Sequence, residues 1–199
     1  MKKIITVLAA IAAVAGSLSA KDLVLDLNYA ENGSVYLYTL KGGEKQFVAG
    51  KSLKGDVQLY LDKGGKTYEF NIKAEGDAGI GSNGKTLYRS FLYNAKKGAL
   101  QLVGEGTYIK TPAIKGMRLS KITLKNSNMG SGYRFIKIAA DEENTKEIAS
   151  FKSPNIENTK VTGECELDGT EKGTSYYIFP KMGASNICVS RLILTYTKK

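Results

Sequence analysis

The chain has 199 residues, 29 Lys and Arg against 19 Asp and Glu for a net charge of +10, and neither histidine nor tryptophan. Without imidazole there can be no Ser-His-Asp or Cys-His nucleophile, no histidine-ligated zinc and no histidine general base, so catalysis would have to rest on carboxylates, lysine or tyrosine. Without tryptophan the best sugar-stacking ring is missing too, which leaves twelve tyrosines for such work.

The positive balance does not read as a nucleic-acid surface. Arg89, Arg118, Arg134 and Arg191 are the only arginines, and most lysines stand singly, as on solvated strand faces and lysine-guarded sheet edges. No nucleic-acid partner is expected.

Residues 1–20 differ in kind from the rest: Lys2 and Lys3, an apolar run over 4–15, then small residues to Ala20. This is the build of a secretory signal peptide, cut after Ala20 or, because Leu18 is bulky for its place, after Ser19. The apolar run is shorter than the ~20 residues a membrane span needs. No cysteine near the cut could take a lipid, so the expectation is a periplasmic or secreted protein with no membrane anchor after signal cleavage. Residues 21–199 then read as a single domain.

Residues 23–27 and 35–40 each alternate apolar with polar, and Asn32-Gly33 between them predicts a β-hairpin. A brief strand is expected over 46–49. Val57, Leu59 and Leu61, then Tyr68, Phe70 and Ile72, alternate on either side of Lys63-Gly64-Gly65-Lys66, which predicts two paired strands. Residues 76–84 contain a GxGxxG string but no following helix pattern, so a nucleotide-phosphate site is not expected. One carboxylate, Asp77, is too few for calcium, and the stretch reads as a mobile surface loop. No cofactor or metal is expected.

Further strands are predicted over 87–93, 99–103, 107–111 and 117–125. In the last of these, Met117, Leu119, Ile122 and Leu124 can share one face only across a bulge. Residues 132–140 read as a strand with Tyr133, Phe135 and Ile138 inward, and 141–146 as an exposed acidic link. Strands over 148–151, 160–167, 175–179 and 186–197 complete the chain. Short strands at regular spacing with no helical period predict an all-β protein, an antiparallel β-sandwich.

Cys165 alternates with Val161, Gly163 and Leu167 on a core-facing side. Cys188 groups with Leu192, Leu194 and Tyr196 by simple alternation, unless a bulge near Ser190-Arg191 reverses it. An even count in an exported chain predicts a Cys165–Cys188 disulfide worth about 3 kcal/mol. The alternative is two separate buried thiols. Glu164 and Glu166 share one strand face and Asp141, Glu142 and Glu143 one loop, but nothing in the pattern marks a catalytic pair; solvated charge is the expectation.

The run from Gly106 through Tyr108, Pro112, Gly116 and Arg118 to Ile122, the segment Leu167-Asp168-Gly169-Thr170 through Tyr177, and the end Cys188 to Tyr196 together resemble a jelly-roll module of exported Bacteroides-type bacterial proteins. Thr111 departs from that pattern, which usually has a bulkier residue there. The resemblance implies a sandwich like those of galactose-binding-like and carbohydrate-binding domains, and it brings no catalytic residues.

The expected function is therefore a non-catalytic exported binding domain for glycan, with a structural or protein-interaction role in the cell envelope as the alternative. No enzyme is expected. If Ile109 and Ile178 face the core, alternation turns Tyr108, Tyr177 and Phe179 outward, where either a ligand or another layer of chain must cover them. These three are the expected ligand-binding residues, with lysine, arginine or amide groups for hydroxyls and carboxylates.

Overall fold

A computed structural model describes residues 20–27, 37–48, 55–73, 77–80, 86–88, 90–92, 100–103, 106–126, 133–154, 163–181 and 186–198. The expected signal peptide, apart from Ala20, and Asn32-Gly33 lie outside these. Alternating apolar and polar residues build sixteen strands among the described residues, and no helix. The first half holds β1 (Lys21–Asp26), β2 (Leu37–Lys41), β3 (Glu44–Phe47), β4 (Val57–Lys63), β5 (Lys66–Lys73), β6 (Asp77–Ile80), β7 (Thr86–Tyr88) and β8 (Ser90–Leu92). The second holds β9 (Leu100–Val103), β10 (Tyr108–Lys110), β11 (Arg118–Asn126), β12 (Tyr133–Ala139), β13 (Glu147–Pro154), β14 (Gly163–Glu166), β15 (Tyr177–Pro180) and β16 (Asn186–Thr197).

Fourteen of these form two antiparallel sheets packed face to face, a β-sandwich, and β6 and β7 pair separately. One sheet has eight strands in the order β13-β12-β15-β10-β5-β4-β2-β3; the other has six, β14-β11-β16-β9-β8, with β1 also pairing β16. The core lies between them. Val57, Ile72, Ile109, Ile178 and Ile138 align strand by strand into one inward row across the larger sheet. They meet Leu23, Leu25, Leu119, Ile122, Leu192 and Leu194 from the smaller sheet, and each fully buried side chain of this size contributes about 1.5–3 kcal/mol.

The β4–β5 turn forms as its sequence predicts. Gly64 and Gly65 take φ of 59° and 70°, the positive values a two-residue hairpin turn requires. The same geometry at Gly42 and Gly43, φ 62° and 85°, makes β2–β3 the hairpin of the N-terminal region. β1 and β2 are not paired with each other as the hairpin expected around Asn32-Gly33 requires: β1 pairs β16 in one sheet while β2 pairs β3 and β4 in the other. Local alternation marks both segments as strands but cannot tell which distant edge each will join.

The bulge required by Met117, Leu119, Ile122 and Leu124 is present. Leu119 pairs Tyr196 and Lys121 pairs Thr195, leaving Ser120 as the extra residue, and all four apolar side chains reach the core. A second bulge leaves Ser190 extra on β16, between Lys125↔Arg191 and Asn126↔Val189. It puts Ile187 and Val189 on the core side together with Leu192, Leu194 and Tyr196, and so turns Cys188 to the other face.

The expected disulfide is absent. Cys165 pairs Ile122, which pairs Leu194, whereas Cys188 lies six residues back along β16. At ~3.3 Å per residue the two are roughly 15–20 Å apart along the sheet, against a Cα limit of about 7 Å. Two further expectations are corrected. Asp77–Ile80 is not loop but a strand paired with β7. Phe135 points out, 38% exposed, because Ile136 and Ile138 hold the core side of β12.

Candidate ligand-binding face

The inward isoleucine row has an outward counterpart. With Ile109 and Ile178 fully buried, the neighbouring side chains of β10 and β15 leave the opposite face of the larger sheet. Tyr108, Tyr177 and Phe179 therefore meet there, as the sequence predicts. The ring of Tyr108 stands edge-on to Tyr177 at 5.1 Å and to Phe179 at 5.5 Å, and Tyr177 stacks on Phe179 at 6.3 Å. Ala139 completes the cluster.

The three rings are not equally accessible. Tyr108 is 7% and Phe179 1% exposed, whereas Tyr177 is half-buried. The expected platform thus narrows to Tyr177, with the other two rings packed beside it. The ammonium of Lys110 lies 5.5 Å from the centre of the Tyr177 ring.

Glu142 is the residue that local pattern could not assign to this face. The 141–146 turn carries it over the sheet, where its carboxylate accepts the Tyr108 hydroxyl at 2.8 Å. Burial, and then this bond, hold the Tyr108 phenol well above the usual tyrosine range. Asp141 fixes the turn by accepting from the amides of Thr145 and Lys146 and the hydroxyl of Thr145. Those bonds, the Thr145 hydroxyl first, keep its carboxyl below the ordinary value.

Beside Tyr108 the face forms an open groove of about 550 Å³ lined by Thr39, Lys41, Asp56, Gln58, Asn71 and Lys73 among others. Lys73 pairs Tyr108 in register and its ammonium is 3.6 Å from Asp56. Amides, a carboxylate and an ammonium beside an aromatic ring are the group types that bind sugar hydroxyls while a ring face covers the sugar's apolar side. Nothing local links these residues. They meet because β5 lies between β4 and β10 in the sheet.

Other acids serve different ends. Asp62 accepts from Lys45, Thr67 and Tyr38, and Glu147 faces Lys137 and Lys181. Both carboxyls are held below their ordinary values, Asp62 chiefly by Lys45 and Glu147 chiefly by Ser150, so both are ionised partners and not proton donors at neutral pH. Lys121 bridges Glu164 at 2.7 Å and Glu166 at 3.4 Å across the β11–β14 pair. Among the described residues no three His, Cys, Asp or Glu side chains gather where they could hold a metal ion.

The residues of the jelly-roll-like pattern converge on one structural knot. Arg118 donates to the carbonyl of Leu167 at 2.9 Å, Thr170 donates to the carbonyl of Leu119 at 2.6 Å, and the Gly173 amide donates to Met117. Thr111, the departure from that pattern, is buried; its hydroxyl accepts from the Tyr176 amide and its own amide donates to the Tyr176 carbonyl. A bulky residue there would forfeit the first of these bonds.

Fold and face together define an antiparallel β-sandwich with an aromatic-centred polar groove on one outer sheet face. No protein-family model matches the chain, and no curated protein sequence does.

Proposed function

We propose that this protein is an exported, non-catalytic glycan-binding domain of jelly-roll type, and that the outer face of the eight-stranded sheet is where the sugar sits. The observation that carries the reading is Tyr177, half-buried at the edge of an aromatic cluster whose Tyr108 lines a groove with Gln58, Asn71, Asp56 and Lys73 on its walls. The ring covers the apolar side of a pyranose, and the amides and ion pair take its hydroxyls. Tyr108 and Phe179 hold the Tyr177 ring in place, and Glu142 holds Tyr108. The resemblance to exported carbohydrate-binding sandwiches and the signal-like first twenty residues support export and sugar binding alike.

The test is an array of plant, bacterial and host glycans probed with the purified protein, followed by Tyr177→Ala and Asn71→Ala. Both variants should lose binding to the same neutral glycan with the melting temperature kept. Binding that survives Tyr177→Ala refutes this face.

A second reading, a protein-interaction component of the cell envelope, is favoured by one observation. Leu40 and Phe47 are each 48% exposed on the β2–β3 pair, and β3 forms the edge of its sheet. An array blank for every glycan makes that reading the leading one.

A further inference from the structure

We propose that a second groove, at the end of the sandwich where the two sheets meet, binds an acidic polysaccharide chain through its carboxylate or sulfate groups. The groove has a volume of about 750 Å³, and among the described residues Lys21, Lys66, Lys110, Lys115 and Lys198 line it against one carboxylate, Glu69. These five lysines come from β1, β5, β10, the 111–117 corner and the C-terminal end of the chain. Only the tertiary fold gathers them.

Among the described residues none of the ion pairs involves any of the five: Lys45, Lys73, Lys121, Lys137, Lys181 and Arg191 hold the paired acids elsewhere. Glu69 accepts from Asn71 at 2.8 Å, and Lys21 lies against the hydroxyl and ring of Tyr68. Five ammonium groups around one open groove repel one another, and a ligand bearing several spaced negative charges relieves that repulsion. A single small anion can meet only two or three of them.

The floor is rigid and suits a sugar chain. The 111–117 corner is tied down by the Tyr196 hydroxyl donating to the Pro112 carbonyl at 2.7 Å, by Thr111 and Tyr176 exchanging bonds, and by the Met117 amide donating to Ile114. Pro112, Ala113 and Ile114 offer apolar surface, and Thr67, Asn71 and Ser175 offer hydroxyl and amide partners. Nucleic acid fits less well. Among the described residues no arginine lines the groove, and the one aromatic ring there, Tyr68, is 7% exposed and belongs to the core, so these residues offer no base-stacking platform. The inference does not rest on the aromatic face, although Asn71 lines both grooves and Lys110 also lies against Tyr177.

The experiment measures binding of the purified protein to polygalacturonate, dextran sulfate, neutral dextran and single-stranded oligo-dT. Binding to one or both acidic polysaccharides but not to dextran is expected, weakening about tenfold or more between about 50 and about 300 mM salt as the contacts are screened. The two acidic polymers separate carboxylate from sulfate recognition. Replacing Lys66, Lys115 and Lys198 together by Gln should reduce affinity about tenfold or more with the melting temperature kept, whereas the same change at Lys45, Lys146 and Lys152, outside the groove, should leave it within about twofold. The proposal is overturned by no binding to either acidic polymer, by equal losses in the two triple variants, or by oligo-dT binding as tightly as the better polysaccharide. Tyr177→Ala keeps the lysine groove, so acidic-polymer binding retained by that variant beside a blank neutral-glycan array would sustain this inference and end the aromatic-face reading.

Discussion

Ser120 and Ser190 occupy mirror positions on the two central strands of the smaller sheet: each is the extra residue of a bulge, and each hydroxyl donates to a carbonyl of the opposite strand. Ser120 bonds Thr195 and Ser190 bonds Lys125, at 3.0 and 3.1 Å. Each bulge also supplies an anchor for a neighbouring segment, since the Leu167 amide donates to the Ser120 carbonyl and the Leu27 amide to the Ser190 carbonyl. With one extra residue on each strand the offsets cancel, and β11 and β16 stay paired from Arg118 to Asn126. The bulges keep an uninterrupted apolar face on two strands whose sequences change parity midway.

Ser120→Ala and Ser190→Ala should each cost about 1 kcal/mol, the net worth of a hydrogen bond of this kind. The sites lie at opposite ends of the paired stretch, so the double variant should show the sum. Urea titration measures both. Deleting Ser190 should leave the protein folded with Ile187 and Val189 still facing the core, because it removes only the extra residue and its bonds to Lys125 and Leu27; a deletion variant that cannot fold would contradict the bulge assignment.

At high pH the buried tyrosines should unfold the protein. Burial raises the phenols of Tyr108 and Tyr196 above the ordinary value of 10.0. A raised folded value contributes stability that is complete below pH 10 and lost as pH rises beyond it, at about 1.4 kcal/mol per pH unit for each group. Denaturant midpoints from pH 8 upward should therefore fall only above about pH 10. Tyr108→Phe should flatten the fall by about half.

Native protein should contain two thiols and no disulfide. Under denaturing, non-reducing conditions both Cys165 and Cys188 should react with a thiol reagent. In the folded protein Cys188, 1% exposed, should be protected, and Cys165 should react slowly, because burial raises its thiol pKa and its Sγ–H is directed at the Glu166 carbonyl. A mass unchanged by labelling after denaturation would show a bridge.

Gly65→Ala should destabilise the β4–β5 hairpin by about 1 kcal/mol, since φ of 70° is a left-handed conformation that a Cβ disfavours although nothing crowds the site. Gly64→Asn should cost less, because asparagine tolerates that region. Thermal melts of the two variants check the order.

If the protein is exported as proposed, the mature form should begin at Lys21 or one residue earlier, which intact mass measures directly. Lys21 is also the first residue of β1, paired with Tyr196, so a cut after Ala20 leaves that strand whole.

Residue patterns alone determined the all-β class, the strands from Val57 to Ile72, the turn between them, the bulge in β11 and the outward direction of Tyr108, Tyr177 and Phe179. All of these follow from side-chain alternation with a period of two and from the backbone needs of glycine, which act over a few residues. The partner of β1, the distance between Cys165 and Cys188, the bond from Tyr108 to Glu142 and both grooves were decided only by the tertiary structure. Strand order is set by which edges bury the most apolar surface together, a property of the whole chain, so alternation shows that Tyr108 faces out but not that Lys73 and Glu142 will be beside it. The five lysines of the second groove each look like ordinary surface charge in sequence. Their common meaning comes from the closure of two sheets around the corner at Pro112.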